Sequence, residues 1–326
     1  ETDSKKNCDN QYYRQAVLKS STGRFIDVEI YLLPFEKKSK LILIRDVTLI
    51  NRTRKVNSYL EKHFQEEYVK RDFFSNISHE LRTPINVIFS ALQLNDIYIS
   101  ECNINGVCKN NKMVKQNCLR LIRTINNFID ANKISEGFIS PDLHVFNVVE
   151  IVENIAQAAN KHIKKAGIEL IFDAEREEIF IELDKGFLER IVLNILSNSV
   201  KYGKIGGEIL INIIIKDNNI LIVIENNGQI ISEEEQQYMF EKFSKNNMAF
   251  NRTQEGSGLG LYISKSLMEL QGGTLTVEVG NEKGNKFIIT YNDVRIFNEE
   301  ESSDLYISSL NEIMEKVDIE FSDITI

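Results

Sequence analysis

The chain has 326 residues, enough for two or three units that each bury a core of their own. With 48 acidic against 39 basic residues it carries a net charge of -9, which excludes a generic nucleic-acid surface, so any action on nucleic acid would pass through a partner. No stretch approaches the roughly 18 consecutive apolar residues of a membrane-spanning helix, and the amino end has no basic-then-apolar signal.

From Arg14 to Val47 short strands and turns alternate, as in Phe25-Ile26-Asp27-Val28-Glu29-Ile30, followed by a buried-type run at Leu41 to Ile44. This predicts a small antiparallel meander over 1–50. Three strands ending in Arg45-Asp46-Val47-Thr48 and running into a charged helix resemble the closing strands of a PAS sensor domain; an unrelated hairpin is the alternative. The chain opens on Glu1 rather than methionine, so a piece of a longer protein is expected, and any membrane segment would lie upstream.

Residues Leu49 to Leu94 contain no glycine and, before Pro84, no proline, which predicts a long helix: a linker over 51–70, then the first arm of a hairpin within 71–137. At about 100° per residue, Phe74, Ile77, Leu81, Ile85, Ile88 and Leu92 form one apolar seam. The stretch "SECNINGVCKNN" breaks the pattern, and Val114, Cys118, Leu121, Ile125 and Phe128 then give a second seam. Such a hairpin has too little surface to bury alone, so pairing with a second copy into a four-helix bundle, a homodimer, is expected. The four cysteines, Cys8, Cys102, Cys108 and Cys118, have neither CxxC spacing nor attendant histidines; that argues against zinc and for a reducing, cytoplasmic setting.

Within the first arm, "FFSNISHELRTPI" places His79 about 140° from the seam, facing solvent, with Thr83 one turn on. Neutral imidazole is a nucleophile near pH 7. Glu80 beside it could hold the Nδ1 proton and leave Nε2 free to attack a phosphate in line. Pro84 withdraws a backbone donor, which predicts a bend beside the histidine. These residues resemble the H box of the histidine kinase dimerisation and phospho-acceptor domain. The resemblance implies His79 as the phosphorylated residue, Glu80 as its acid/base partner and Thr83 as a residue that positions water when the kinase dephosphorylates its partner.

After Gly137 and Pro141 the pattern becomes mixed α/β over 138–292. Helices are expected near Val148 to Lys165, Gly186 to Tyr202 and Ser257 to Gln271. Strands are expected at Glu169 to Phe172, Glu208 to Lys216, Ile220 to Glu225, Gly273 to Val279 and Lys286 to Tyr291, giving one helix layer on a sheet. In "FLERIVLNILSNSVKY", Asn194 and Asn198 are four apart and share a helix face, with Lys201 within a turn. Amide oxygens can join a Mg²⁺ shell and a lysine can neutralise phosphate. The pattern resembles the N box of the GHKL ATPases, which implies Asn198 as the principal Mg²⁺ ligand, with Asn194, Lys201 and Tyr202 on the phosphate and sugar side.

Further on, "EGSGLGL" spans Gly256, Ser257, Gly258, Leu259, Gly260 and Leu261 at a helix start, where bare N–H groups favour phosphate. After an N box it resembles the kinases' second glycine box. Phe240 and Phe243 resemble the F box, which makes Ser244 to Glu255 a lid; Arg252 there either reaches the triphosphate or is simply solvated. "IENNGQII" departs from the family's first glycine box: Asn226 stands at the usual aspartate, Gly228 and Ile231 keep their places, and Ile230 replaces the second glycine. A neutral acceptor forgoes about 1 kcal/mol of charge assistance, which weakens adenine binding without abolishing it.

The acidic end, 293–326, reads as a solvated tail, with "VDIEFSDITI" alternating like an edge strand and 305–317 a possible short helix. The expected whole is an α+β multidomain chain: a β meander, an antiparallel helical hairpin that dimerises, then an α/β sandwich of the GHKL type. The resemblance implies a sensor histidine kinase of a two-component system. It would use ATP and Mg²⁺, phosphorylate His79 and pass the phosphoryl group to an aspartate of a response regulator, and would dephosphorylate that regulator as well. A regulator or phosphatase-dominant member without useful ATP turnover is the runner-up. A GHKL ATPase of the repair or chaperone type would leave the histidine helix unexplained.

Overall fold

The structure, a computed structural model, describes residues 12–21, 23–35, 39–242, 258–279, 284–298 and 310–324. The chain divides into two compact units, Glu1–Phe74 and Ser75–Ile326. In the first, β1 (Tyr12–Lys19), β2 (Phe25–Phe35) and β3 (Ser39–Asp46) form the expected antiparallel meander. Its first turn has Gly23 at φ +80°, where a Cβ would be strained. Val28 is buried, whereas Phe25, Ile42 and Ile44 are more than half exposed. Helix α1 (Thr48–Ser100) follows, its start fixed by Thr48, whose N–H donates to the Asp46 carboxylate and whose hydroxyl accepts from the Asp27 N–H, each at 2.9 Å.

In the second unit the rest of α1 pairs with α2 (Ile104–Ser135). The break expected across "SECNINGVCKNN" shrinks to three residues, because its glycine and asparagine serve the helices rather than a loop. The Asn103 side chain caps α2 by accepting from Gly106 N–H at 2.9 Å, and Gly106 lies so close to the Tyr98 ring that a Cβ would sit 2.6 Å from it. Helix α1 passes Pro84 without interruption. The arms meet through small and polar groups: Ala91 is buried, Asn110 Nδ2 donates to Ala91 O at 3.2 Å, and Asn95 to Asn111 at 3.0 Å. The apolar seam is left open, with Ile85 52% and Leu92 49% exposed.

The remainder is the α/β layer pair: β4 (His144–Asn147), α3 (Val148–Lys165), β5 (Glu169–Ala174), β6 (Phe180–Leu183), α4 (Lys185–Lys201), β7 (Glu208–Lys216), β8 (Asn219–Asn226), α5 (Glu233–Tyr238), α6 (Gly260–Leu270), β9 (Thr274–Val279) and β10 (Asn285–Tyr291). The sheet runs β5-β7-β8-β10-β9, with β5 parallel to β7 and the other neighbours antiparallel. Alternation puts Ile209, Ile211 and Ile213, Ile220, Ile222 and Ile224, and Phe287 and Ile289 on the buried face beneath α3, α4 and α6. Helix α4 is capped by Asp184, whose carboxylate accepts from Phe187 N–H at 2.9 Å. The short pair β4–β6, four residues each, lay below what period-two reading can resolve.

The C-terminal residues correct the solvated-tail and edge-strand expectations. They form α7 (Leu310–Glu320) and a single 3₁₀ turn, Phe321–Asp323, with Ile313, Val317 and Phe321 each 3% exposed or less. Period-two alternation in "VDIEFSDITI" mimicked a strand, but the apolar residues 313, 317 and 321 recur every four.

Candidate functional site

His79 and Thr83 are exposed on α1, as their wheel position implied, and Glu80 between them is half-buried. The Thr83 hydroxyl donates to the His79 carbonyl at 3.2 Å, a bond in the turn where Pro84 removes a donor. Glu80 is close enough to Arg123 on α2 and Lys201 on α4 for its charge to act on both. The acceptor segment and the N-box helix are therefore electrostatic neighbours within this unit.

On α4 the two asparagines part company. Across Ile191 to Val200 every residue is buried except Asn198, which is partly exposed. Asn194 is 4% exposed, and its amide donates to Ser264 Oγ on α6 at 2.8 Å. A Cβ on Gly260 would collide with the Asn194 side-chain oxygen. Asn194 thus seats the start of α6 on α4, and of the two amides only Asn198 reaches solvent. Lys201 stacks its ammonium 5.7 Å from the Tyr202 ring. Burial lowers the Lys201 pKa from its ordinary value, Asp323 and Glu80 opposing and Arg123 and Arg120 adding to the shift; burial likewise raises that of Tyr202.

The first glycine loop rests on the end of α4. Gln229 N–H donates to Tyr202 O at 3.2 Å, and a Cβ on Gly228 would strike that same carbonyl. Asn226 is 5% exposed: its Nδ2 donates to Ser199 Oγ at 3.0 Å and its Oδ1 accepts from Gly228 N–H at 3.1 Å. Asn285 spans the loop, donating to Gln229 O at 2.6 Å and to Asn226 Oδ1 at 3.4 Å, and accepting from Ile231 N–H at 2.8 Å. This staple holds a loop that lacks its second glycine; Ile230 is 43% exposed beside it. Sequence reading missed Ser199, Ser264 and Asn285, for they belong to no motif and become legible only once the strands are in register.

At the second glycine box Gly258 has φ +65°, Leu259 is buried and α6 begins at Gly260 with no side-chain cap, leaving its first N–H groups for another acceptor. Phe240 lies under the Lys265 ammonium at 5.5 Å. Phe243, Arg252, Gly256 and Ser257 fall outside the described residues, as does Cys8. Among the described residues no cluster of three or more His, Cys, Asp or Glu could hold a metal, so the donors on offer are amides, and they fit a cation that shares its shell with phosphate and water. Among the same residues no helix is long and apolar enough to cross a membrane.

Two family models match this layout: the His Kinase A (phospho-acceptor) domain over 69–137, and the histidine kinase-, DNA gyrase B-, and HSP90-like ATPase over 183–295. Histidine kinase P4 of Formosa agariphila is 29% identical over 236 residues, covering 71% of this chain and 17% of that protein. Hybrid signal transduction histidine kinase D of Dictyostelium discoideum is 27% identical over 321 residues, 88% of this chain and 20% of that protein. Sensor protein SrrB of Staphylococcus aureus is 24% identical over 282 residues, 83% and 45% respectively. The chain thus spans less than half the length of these relatives. Among solved structures, Acinetobacter baumannii histidine kinase AdeS has a similar fold at 20% identity, with a TM-score of 0.50 over 65% of this chain and 96% of that one. With an acceptor hairpin and an ATPase layer pair in consecutive order, each matched by its own model, the chain belongs to the sensor histidine kinases.

Proposed function

We propose that this chain binds ATP in the cradle formed by α4, the first glycine loop and the start of α6, and phosphorylates itself on His79. The observation that carries the reading is the pairing of an exposed histidine, flanked by Glu80, with an N-box helix that shows a single amide, Asn198, to solvent. Nε2 of His79 attacks the terminal phosphorus as the bond from phosphorus to the bridging oxygen breaks, and ADP departs; Glu80 takes the Nδ1 proton. Asn198 would hold Mg²⁺, which neutralises phosphate charge, and Lys201 supports the same oxygens. Asn194, Gly228 and Gly260 set the close packing of the cradle, Asn226 accepts from the adenine amino group, and Tyr202, Ile231, Phe240, Gly258, Leu259 and Leu261 line it; the motif resemblance adds Phe243, Arg252, Gly256 and Ser257 to the nucleotide-binding set.

The phosphoryl group then passes to an aspartate of a response regulator, and Thr83 orients water for the reverse task of removing it. Two copies pair through the seam that one chain leaves half exposed. The domain limits in this reading are a PAS-like meander to 50, a linker helix to 70, the acceptor hairpin at 71–137 and the ATP-binding domain at 138–292. Exposed, unpaired Cys102, Cys108 and Cys118 favour a cytoplasmic setting. A phosphatase-dominant balance is the second reading, and Asn226 in place of an aspartate favours it.

Incubation with γ-labelled ATP and Mg²⁺ tests the proposal. Acid-labile, alkali-stable label that disappears in His79→Gln is expected; an unlabelled wild-type chain would end the kinase reading.

A further inference from the structure

The C-terminal turn lies where the acceptor hairpin meets the ATP-binding layers, and its anchors are ionic. Glu320, 2% exposed, receives the Arg123 guanidinium of α2 at 2.7 and 3.0 Å and the Arg190 guanidinium of α4 at 2.9 Å. Asp323 receives Arg120 of α2 at 2.9 Å and pairs with Arg123 as well. Gln116 of α2 donates to the carbonyls of Ser322 and Ile324 at 3.2 and 3.4 Å. On the other side α7 is held to α3 by His162 on Asp318 at 3.1 Å and to α4 by Lys316 on Glu189.

Two features make this more than a packed terminus. Three guanidiniums from two different helices converge on the two carboxylates Glu320 and Asp323, which screen their mutual repulsion, while Arg190 is also held by Asn127 and Asp130 of α2. Burial acts to lower the Arg123 pKa, yet Glu320 and Asp323 outweigh it and hold the guanidinium above its ordinary value. Asp323 is moreover within electrostatic reach of Lys201 and Tyr202, the residues assigned above to the phosphate side of the cradle. Arg120 and Arg123 act on Lys201 as well, so a triphosphate there would compete with the Asp323 carboxylate for this group of cations.

We propose that α7 and its terminal turn form an intramolecular acidic strap. It bridges Arg120 and Arg123 of the hairpin to Arg190 of the ATP-binding layers, opposes nucleotide phosphate at Lys201, and so restrains autophosphorylation until it is displaced. The inference rests on the kinase reading for its consequence, but its geometry can be tested without turnover.

The test compares wild type with Glu320→Gln/Asp323→Asn in the full chain, each checked for an unchanged melting profile. The binding probe is a non-hydrolysable ATP analogue with Mg²⁺, and His79 labelling is followed in parallel. Analogue affinity and labelling rate should both rise severalfold in the double variant. Asp323→Asn alone, which leaves Glu320 between Arg123 and Arg190, should give a smaller rise. In wild type, saturating analogue should speed amide hydrogen exchange in 310–320. Unchanged or weaker analogue binding in both variants would overturn the strap, even if His79 is labelled normally. If no protein is labelled but the variants bind analogue more tightly, the strap stands and the kinase reading falls.

Discussion

At the scale of single residues, Asn226 is the departure with the clearest chemistry. It is buried and bonded to Ser199 and to the Gly228 N–H, so it is fixed in place, but it offers a neutral oxygen where a carboxylate would be a stronger acceptor. Asn226→Asp keeps both contacts, since the Ser199 hydroxyl can turn to donate. Charge assistance contributes about 1 kcal/mol, so ATP should bind roughly fivefold more tightly, as titration calorimetry at pH 8 would show. Equal or weaker binding would mean that the Asn285 staple has already moved Asn226 out of the base-reading role. Tyr291 offers a stability test. Among the described residues its buried hydroxyl has no hydrogen-bond partner of ordinary geometry, and neighbouring Gln271 is directed to Asp184 N–H and Leu267 O. Burial raises its pKa, so the folded state favours the neutral phenol. That contribution is complete below the unfolded value of about 10 and is lost as pH rises past it toward the folded value. Tyr291→Phe should therefore stabilise by about 1 kcal/mol at pH 7.5, and its advantage should grow at pH 10.5, measured by urea unfolding.

At the scale of elements, legibility followed length and period. Glu208–Lys216 is the strand predicted, and Val148–Lys165 the helix, because nine residues of alternation or five turns of an amphipathic stripe outweigh any local ambiguity. The four-residue β4 and β6 could not be seen, since they exist only by pairing with each other across α3 and β5. The N box and glycine boxes were visible as strings, but the division of labour between Asn194 and Asn198 was not. Equal spacing puts both on one face, and only α6 packing on that face decides which is covered. The arginines of the strap were equally silent in sequence. Arg120, Arg123 and Arg190 read as ordinary helix-surface cations until α7 supplied their counter-charges.

At the scale of the molecule, the hairpin is the part that a single chain leaves unfinished. Its arms meet through alanine and asparagine, while Ile85 and Leu92 stay about half exposed. Apolar surface on this scale is buried by a second copy when the helices pair. Sedimentation should give about twice the 37.6 kDa of one chain, and Ile85→Glu/Leu92→Glu should give the single-chain mass with the ATP-binding layers still folded. A wild type that sediments as one chain would remove the bundle. Helix α4 bears on all of this, because from Ile191 to Val200 it conceals every neighbour and shows water one amide. Such a helix has a single adjustable handle. Under the proposed role of Asn198, a change of preferred cation, from magnesium to a softer manganese for example, has to be made at position 198 itself, because the concealed residues around it belong to the core.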